Sequence, residues 1–180
     1  VYQKLFDRYP NRINYLLGLV ESHQQLEQFE QAEAILKKRI DQNPNNAQLL
    51  VELGHHYDLQ GKSDQARIYY NKAIAAYDNT NLNHAYSLAQ TFEKYNLLDE
   101  AALIYEKGMQ DNPRANYNVQ LAKIYGEQGK LEKMFSSYLS LLQSQPNYIN
   151  IVQRNFSDYI VADPTNEANI IFKKLLIKKL

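Results

Sequence analysis

Residues 47–81 read AQLLVELGHHYDLQGKSDQARIYYNKAIAAYDNTN. Leu50, Leu53, Gly54 and Tyr57 are spaced i, i+3, i+4, i+7, which places all four on one helix face. Gly61 tolerates positive φ and can end that helix. Ser63 and Asp64 suit the start of the next helix, where exposed N–H groups and the helix dipole favour such side chains. Ala66, Tyr69, Tyr70, Ala73 and Ile74 then recur at helical spacing. The stretch predicts a helix, a short turn and an antiparallel helix.

Outward from this stretch the same unit returns. Tyr57 belongs to a column with His23, Phe92, Tyr125 and Tyr159, at steps of 34, 35, 33 and 34 residues. Tyr70 belongs to another with Tyr2, Leu36, Tyr105, Tyr138 and Phe172, and Ala66 to a third with Ala32, Ala101, Met134 and Ala168. Three columns in step mean one structural unit copied several times. Pro10, Pro44, Pro113 and Pro146 keep the same beat and mark breaks, because proline disfavours helix at the residue before it.

The run Leu53, Gly54, Tyr57, Gly61, Ala66, Tyr70, Ala73 resembles the tetratricopeptide repeat: a small residue at position eight, a large one at eleven, Ala at twenty and an aromatic at twenty-four. The resemblance implies an all-α fold, a right-handed αα superhelix of antiparallel helix pairs. Its physical basis is close helix contact, with small residues letting two helices approach and large ones filling the space beside them. The expected division is a preceding helix tail over 1–12, then units at 13–46, 47–81, 82–114, 115–148 and a degenerate fifth at 149–180. The departures are Val20, Glu27 and Arg39 in the first unit and Met134 in the fourth. The fifth has Asn155 and Phe156, where Leu and a small residue are usual, and Asp163-Pro164 at its turn. The 77–82 connection is polar and lacks the usual proline. Both chain ends fall within a unit, and residue use is similar to bacterial members of the family, so a segment of a larger bacterial protein is expected.

Composition narrows the function. Twenty Lys and Arg balance twenty Asp and Glu, so no basic excess points to nucleic acid or an anionic membrane. Cysteine is absent, which removes disulfide and thiolate chemistry. Scarce Gly and Pro beside plentiful Ala, Leu, Gln, Lys and Glu is helix-forming composition. No segment approaches the ~20 apolar residues of a membrane span, so no membrane insertion is expected. No targeting segment is visible, and the compartment stays open between cytoplasm and periplasm.

No catalytic constellation is legible, and neither an enzyme activity nor a cofactor is expected. Gly61-Lys62 and Gly129-Lys130 lack the glycine spacing and preceding strand of a phosphate loop. Glu52 with His55 or His56 could share a metal on one helix face, but the ligands fall short of a catalytic set, and no metal is expected.

The resemblance implies instead that first helices line a concave groove. Carried onto this chain, its inward positions include Asn14 and Glu21, then Gln48, Glu52 and His55, then Asn83, Tyr86 and Gln90, then Asn116, Gln120 and Lys123, and Arg154. Asn and Gln there can bond a peptide backbone without reading its sequence. Acidic groups gather in the first two units and basic ones in the last two, a polarity able to orient an extended segment. Leu17 and Glu21 stand where the family's carboxylate clamp has Lys and Asn, which argues against a C-terminal tail as ligand. The expected function is a non-catalytic protein–protein interaction scaffold that binds a peptide or protein segment. The alternatives are a regulatory or sensing segment of a larger enzyme or assembly complex, and single-stranded RNA binding, which the balanced charge disfavours. Residues 170–180 are apolar around most of the helix. A further repeat or a second copy is expected to cover them, ahead of an interfacial membrane helix.

Overall fold

The computed structural model describes residues 1–81 and 83–179, Lys179 by its backbone alone. Leu82, the expected start of the third unit, and Leu180, the last residue of the expected self-association segment, lie outside the described residues. Among the described residues the only regular structure is helical. The chain divides into two compact units, residues 1–101 and 102–180.

The first unit holds α1 (Tyr2–Arg8), α2 (Ile13–Gln25), α3 (Phe29–Gln42), α4 (Ala47–Asp58), α5 (Ser63–Ala75) and α6 (His84–Lys94). Helix α7 (Leu98–Asp111) begins there and ends in the second unit. Within the first unit α1 packs on α2, α2 on α3, α3 on α4, and α4 on both α5 and α6. The second unit adds α8 (Asn118–Glu127), α9 (Leu131–Ser144), a 3₁₀ turn (Pro146–Tyr148), α10 (Ile149–Phe156) and α11 (Glu167–Lys179). There α8 and α11 both pack on α9.

One turn geometry makes the pairs. Glu27, Gly61, Asn96 and Gly129 all have φ between 56° and 69°. In each case the next residue's N–H returns to the carbonyl five residues back: Gln28 to His23, Lys62 to Tyr57, Leu97 to Phe92 and Lys130 to Tyr125, at 2.8–3.0 Å. A second bond runs from the left-handed residue itself to the carbonyl three back. This double closure satisfies carbonyls orphaned at a helix end and sets the chain up to reverse. The aromatic-or-His column thus marks the accepting carbonyl of each turn. Glycine takes the left-handed conformation freely, Asn with little strain, and Glu27 least readily.

The small-against-large contact is equally direct. A Cβ on Gly54 would lie 2.4 Å from the Tyr70 ring, and one on Gly18 would lie 2.4 Å from the Tyr2 ring. Tyr70 is buried and donates to Asp58 Oδ2 at 2.6 Å, so its ring is held at both ends. Ala32, Ala66 and Ala101 are buried without remainder or nearly so, which is what close helix approach requires.

The second unit departs where its sequence does. Met134, in place of a small residue, is buried with its sulfur 3.1 Å from where a Gly126 Cβ would stand. Phe156 joins Phe135 and Phe172 in an aromatic cluster with centroids 4.8–5.2 Å apart. Large rings therefore fill the space that a small residue would have closed. Helix α10 is only eight residues long, and Tyr159 lies beyond its end rather than on it. In the first unit the connection without proline is held by Asp78, whose Oδ1 accepts from the backbone N–H and the hydroxyl of Thr80. Asp78 N–H in turn donates to His84 Nδ1 at 2.8 Å.

Candidate functional site

The first helices α2, α4 and α6 of the first unit bring polar side chains together in two clefts. One, of about 260 Å³, is lined by Asn14 and Leu17 from α2, Gln48 and Glu52 from α4, and Gln90 and Lys94 from α6. The other, of about 370 Å³, is lined by Glu21, Gln24 and Gln25 from α2, Glu27, His55 from α4 and the adjoining Leu59. These residues converge because α2, α4 and α6 each hold their apolar stripe against the second helices, leaving the polar stripe on the other side.

Glu52 lines the first cleft with most of its surface covered. It is 7% exposed, and Oε2 accepts from the Tyr95 hydroxyl at 2.5 Å while Oε1 accepts from Lys94 Nζ at 3.3 Å. Lys94 Nζ also donates to Tyr95 Oη at 2.6 Å and stands 4.6 Å from the ring centroid. Buried carboxyl oxygens need such partners because burial strips them of water. Burial, followed by the negative charge of Glu52, pushes the Tyr95 hydroxyl well above its ordinary range, so it stays a proton donor. His55 stacks flat on Tyr95, with centroids 3.7 Å apart, and burial lowers its pKa so that the ring is neutral. Tyr95 carried no sequence signal: it caps α6, where no repeat column has an aromatic.

His56 faces the other way and is fully buried. The amides of Gln24 and Gln60 meet its Nδ1 and Nε2 at 3.3 and 2.7 Å, and the Phe29 ring meets it edge-on. Desolvation lowers its pKa, opposed in part by Glu33. Glu52, His55 and His56 therefore serve three different contacts. Among the described residues no three His, Cys, Asp or Glu converge to hold a metal.

The remaining sequence-assigned residues divide. Asn14, Tyr86 and Gln90 are exposed on α2 and α6, and Asn83 is the exposed cap of α6. In the second unit Gln120 and Lys123 lie on α8; Lys123 is exposed, 3.9 Å from Glu127. Gln120 Oε1 is buried with no hydrogen-bond partner among the described residues. Asn116 precedes α8 rather than lying on it. Its Oδ1 accepts from Asn118 N–H at 3.1 Å and its amide donates to Ser144 Oγ at 3.0 Å, so the side chain builds the turn. Arg154 is exposed on α10.

A larger cleft, about 520 Å³, opens against the second helices α3 and α5, over Leu50, Leu53 and Tyr69. Its lysines are already engaged: Lys37 pairs with Glu33 at 2.6 Å, and Lys72 stands 4.7 Å over the Tyr69 ring. No helix among the described residues is long and apolar enough to cross a membrane.

The sequence model of the tetratricopeptide repeat matches residues 47–80 and 115–148. No curated protein matches the chain. Solved structures similar to it include the crystal structure of MamA, 23% identical, covering 89% of this chain and 94% of that one at a TM-score of 0.46. YrrB, described as a tetratricopeptide-repeat protein with an unusual peptide-binding site, is 16% identical over 100% of this chain and 98% of its own, at 0.46. A human IFIT1 dimer with m7Gppp-AAAA is 20% identical over 97% of this chain and 44% of its own, at 0.45.

Proposed function

We propose that this chain, whose residues 47–80 and 115–148 match the tetratricopeptide repeat, is a non-catalytic scaffold whose first helices receive an extended segment of a partner protein. One observation carries the reading. Asn14, Gln48 and Gln90, from three successive first helices, meet on a single open cleft of about 260 Å³. An amide carries both donor and acceptor groups, which matches the alternating C=O and N–H groups of a peptide backbone, and Gln90 is oriented by donating from Nε2 to Glu93 Oε1 at 3.1 Å. Leu17 supplies an apolar floor, and Lys94 and Glu52 neutralise each other there, so the cleft favours neither charge. Rigid helix pairs hold these groups in place before binding, which lowers the ordering cost of a shallow polar site.

The test is a double substitution, Gln48→Ala with Gln90→Ala, assayed against the partner recovered with the wild-type chain from its source cells. Binding is expected to weaken about tenfold or more, since two hydrogen-bonding groups are lost, with the helical circular dichroism unchanged. Equal binding by the variant would overturn the reading.

A further inference from the structure

The two units differ in charge. Residues 1–101 hold thirteen Asp and Glu against ten Lys and Arg, whereas residues 102–180 hold seven against ten. The surplus of each sign includes groups that make no ion pair among the described residues. Glu21 and Glu27, on the rim of the 370 Å³ cleft, make no ion pair among the described residues. Neither do Lys173 and Lys174 on α11.

Helix α11 carries these lysines on a defined face. Ala168 and Leu175 are buried against the second unit. At 100° per residue the opposite side presents Ile170, Lys173, Lys174 and Ile177, spaced i, i+3, i+4, i+7. Ile170 is 41% exposed and Ile177 65%. The stripe is thus two large aliphatic side chains about 10 Å apart along the helix with two ammonium groups between them. The cleft offers the complement: Leu59 and Phe29 as an apolar floor, with Glu21 and Glu27 beside them.

We propose that the occupant of this cleft is α11 of a second copy of the chain, with Lys173 and Lys174 meeting Glu21 and Glu27 and the isoleucines covering Leu59 and Phe29. The inference rests on the reading of the first helices as a binding face, and it names a partner for the second of their two clefts. Donor and acceptor are different surfaces, so the contact is head-to-tail and leaves one of each open at the ends of a growing assembly. Apolar burial and the opposed charges both contribute to affinity, and the charges also set register and on-rate.

The test is sedimentation of the full chain at low and high salt. The weight-average mass is expected to rise with concentration at low salt and to fall toward the monomer at about 1 M, where charges are screened within ~3 Å. Lys173→Glu with Lys174→Glu, and separately Glu21→Lys with Glu27→Lys, are each expected to weaken association about tenfold or more. All four positions are exposed, so the helical signal should hold. Mixing the two variants sets each altered or retained charge pair against its opposite, so growth of the assembly with concentration is expected to return. A wild-type chain that stays monomeric at all concentrations in low salt would overturn the proposal, as would variants that associate like wild type. So would a monomer that instead binds anionic phospholipid vesicles through Lys173 and Lys174. None of these results touches Gln48 and Gln90 in the other cleft, so the peptide-binding reading stands or falls separately.

Discussion

Glu27, Gly61, Asn96 and Gly129 share one backbone conformation, but their side chains do not suit it equally. Left-handed φ costs a β-carbon-bearing residue about 1–2 kcal/mol, less for Asn. Gly61→Ala is therefore expected to lower stability by about 1–2 kcal/mol. Asn96→Gly, at the equivalent turn, is expected to raise it slightly, by about 0.5 kcal/mol. Thermal unfolding of the two variants checks the pair, and equal shifts of one sign would contradict it. Gly54 and Tyr70 were readable as a small-against-large pair from spacing alone, because helical periodicity put both on facing stripes. The role of Glu27 was not, since nothing in its chemistry announces a left-handed turn; only its place in the 34-residue beat does.

At the scale of the helix, α4 carries adjacent histidines with opposite surroundings, because successive helical residues lie 100° apart. His56 points into the α2–α4 contact and His55 toward α6 through Tyr95. Desolvation lowers the pKa of both below the ordinary 6.5. Above that value both states are neutral and the stability is complete. As pH falls through about 6.5 the unfolded chain takes up protons that the folded chain resists, so stability is lost toward the lower folded pKa values. Each group contributes a slope of up to about 1.4 kcal/mol per pH unit. Chemical denaturation from about pH 7 to 5 should show this decline, and His56→Leu should make it shallower despite a lower starting stability. A stability that rises on acidification would contradict the burial of these rings. The sequence placed both histidines on α4 but could not tell which was buried, because that depends on Gln24 and Phe29 closing over His56 from neighbouring helices. Asn116 shows the same limit. Its column position is inward-facing, but α8 starts at Asn118 and turns the side chain into a loop bond.

For the whole molecule, the repeat beat was legible through the first four helix pairs because each keeps its turn and its large column residue. It faded in the last, where Phe156 replaces a small residue and the rings of Phe135, Phe156 and Phe172 take over the packing. Tyr159 keeps the interval in sequence while leaving the helix, so a conserved spacing there marks no conserved position. Of the residues assigned from the sequence, Asn14, Gln48, Glu52 and Gln90 line one cleft, but the hold that Lys94 and Tyr95 take on Glu52, 42 and 43 residues away in sequence, was not legible. On the function proposed above, the first-helix face receives the partner. A photo-activated cross-linking residue placed at Gln90 tests it against the same residue at Arg67, exposed on the second helix α5. Gln90 is expected to capture one partner segment in a form competed by unlabelled chain, while Arg67 captures nothing in common. Capture from Arg67 with none from Gln90 would contradict it.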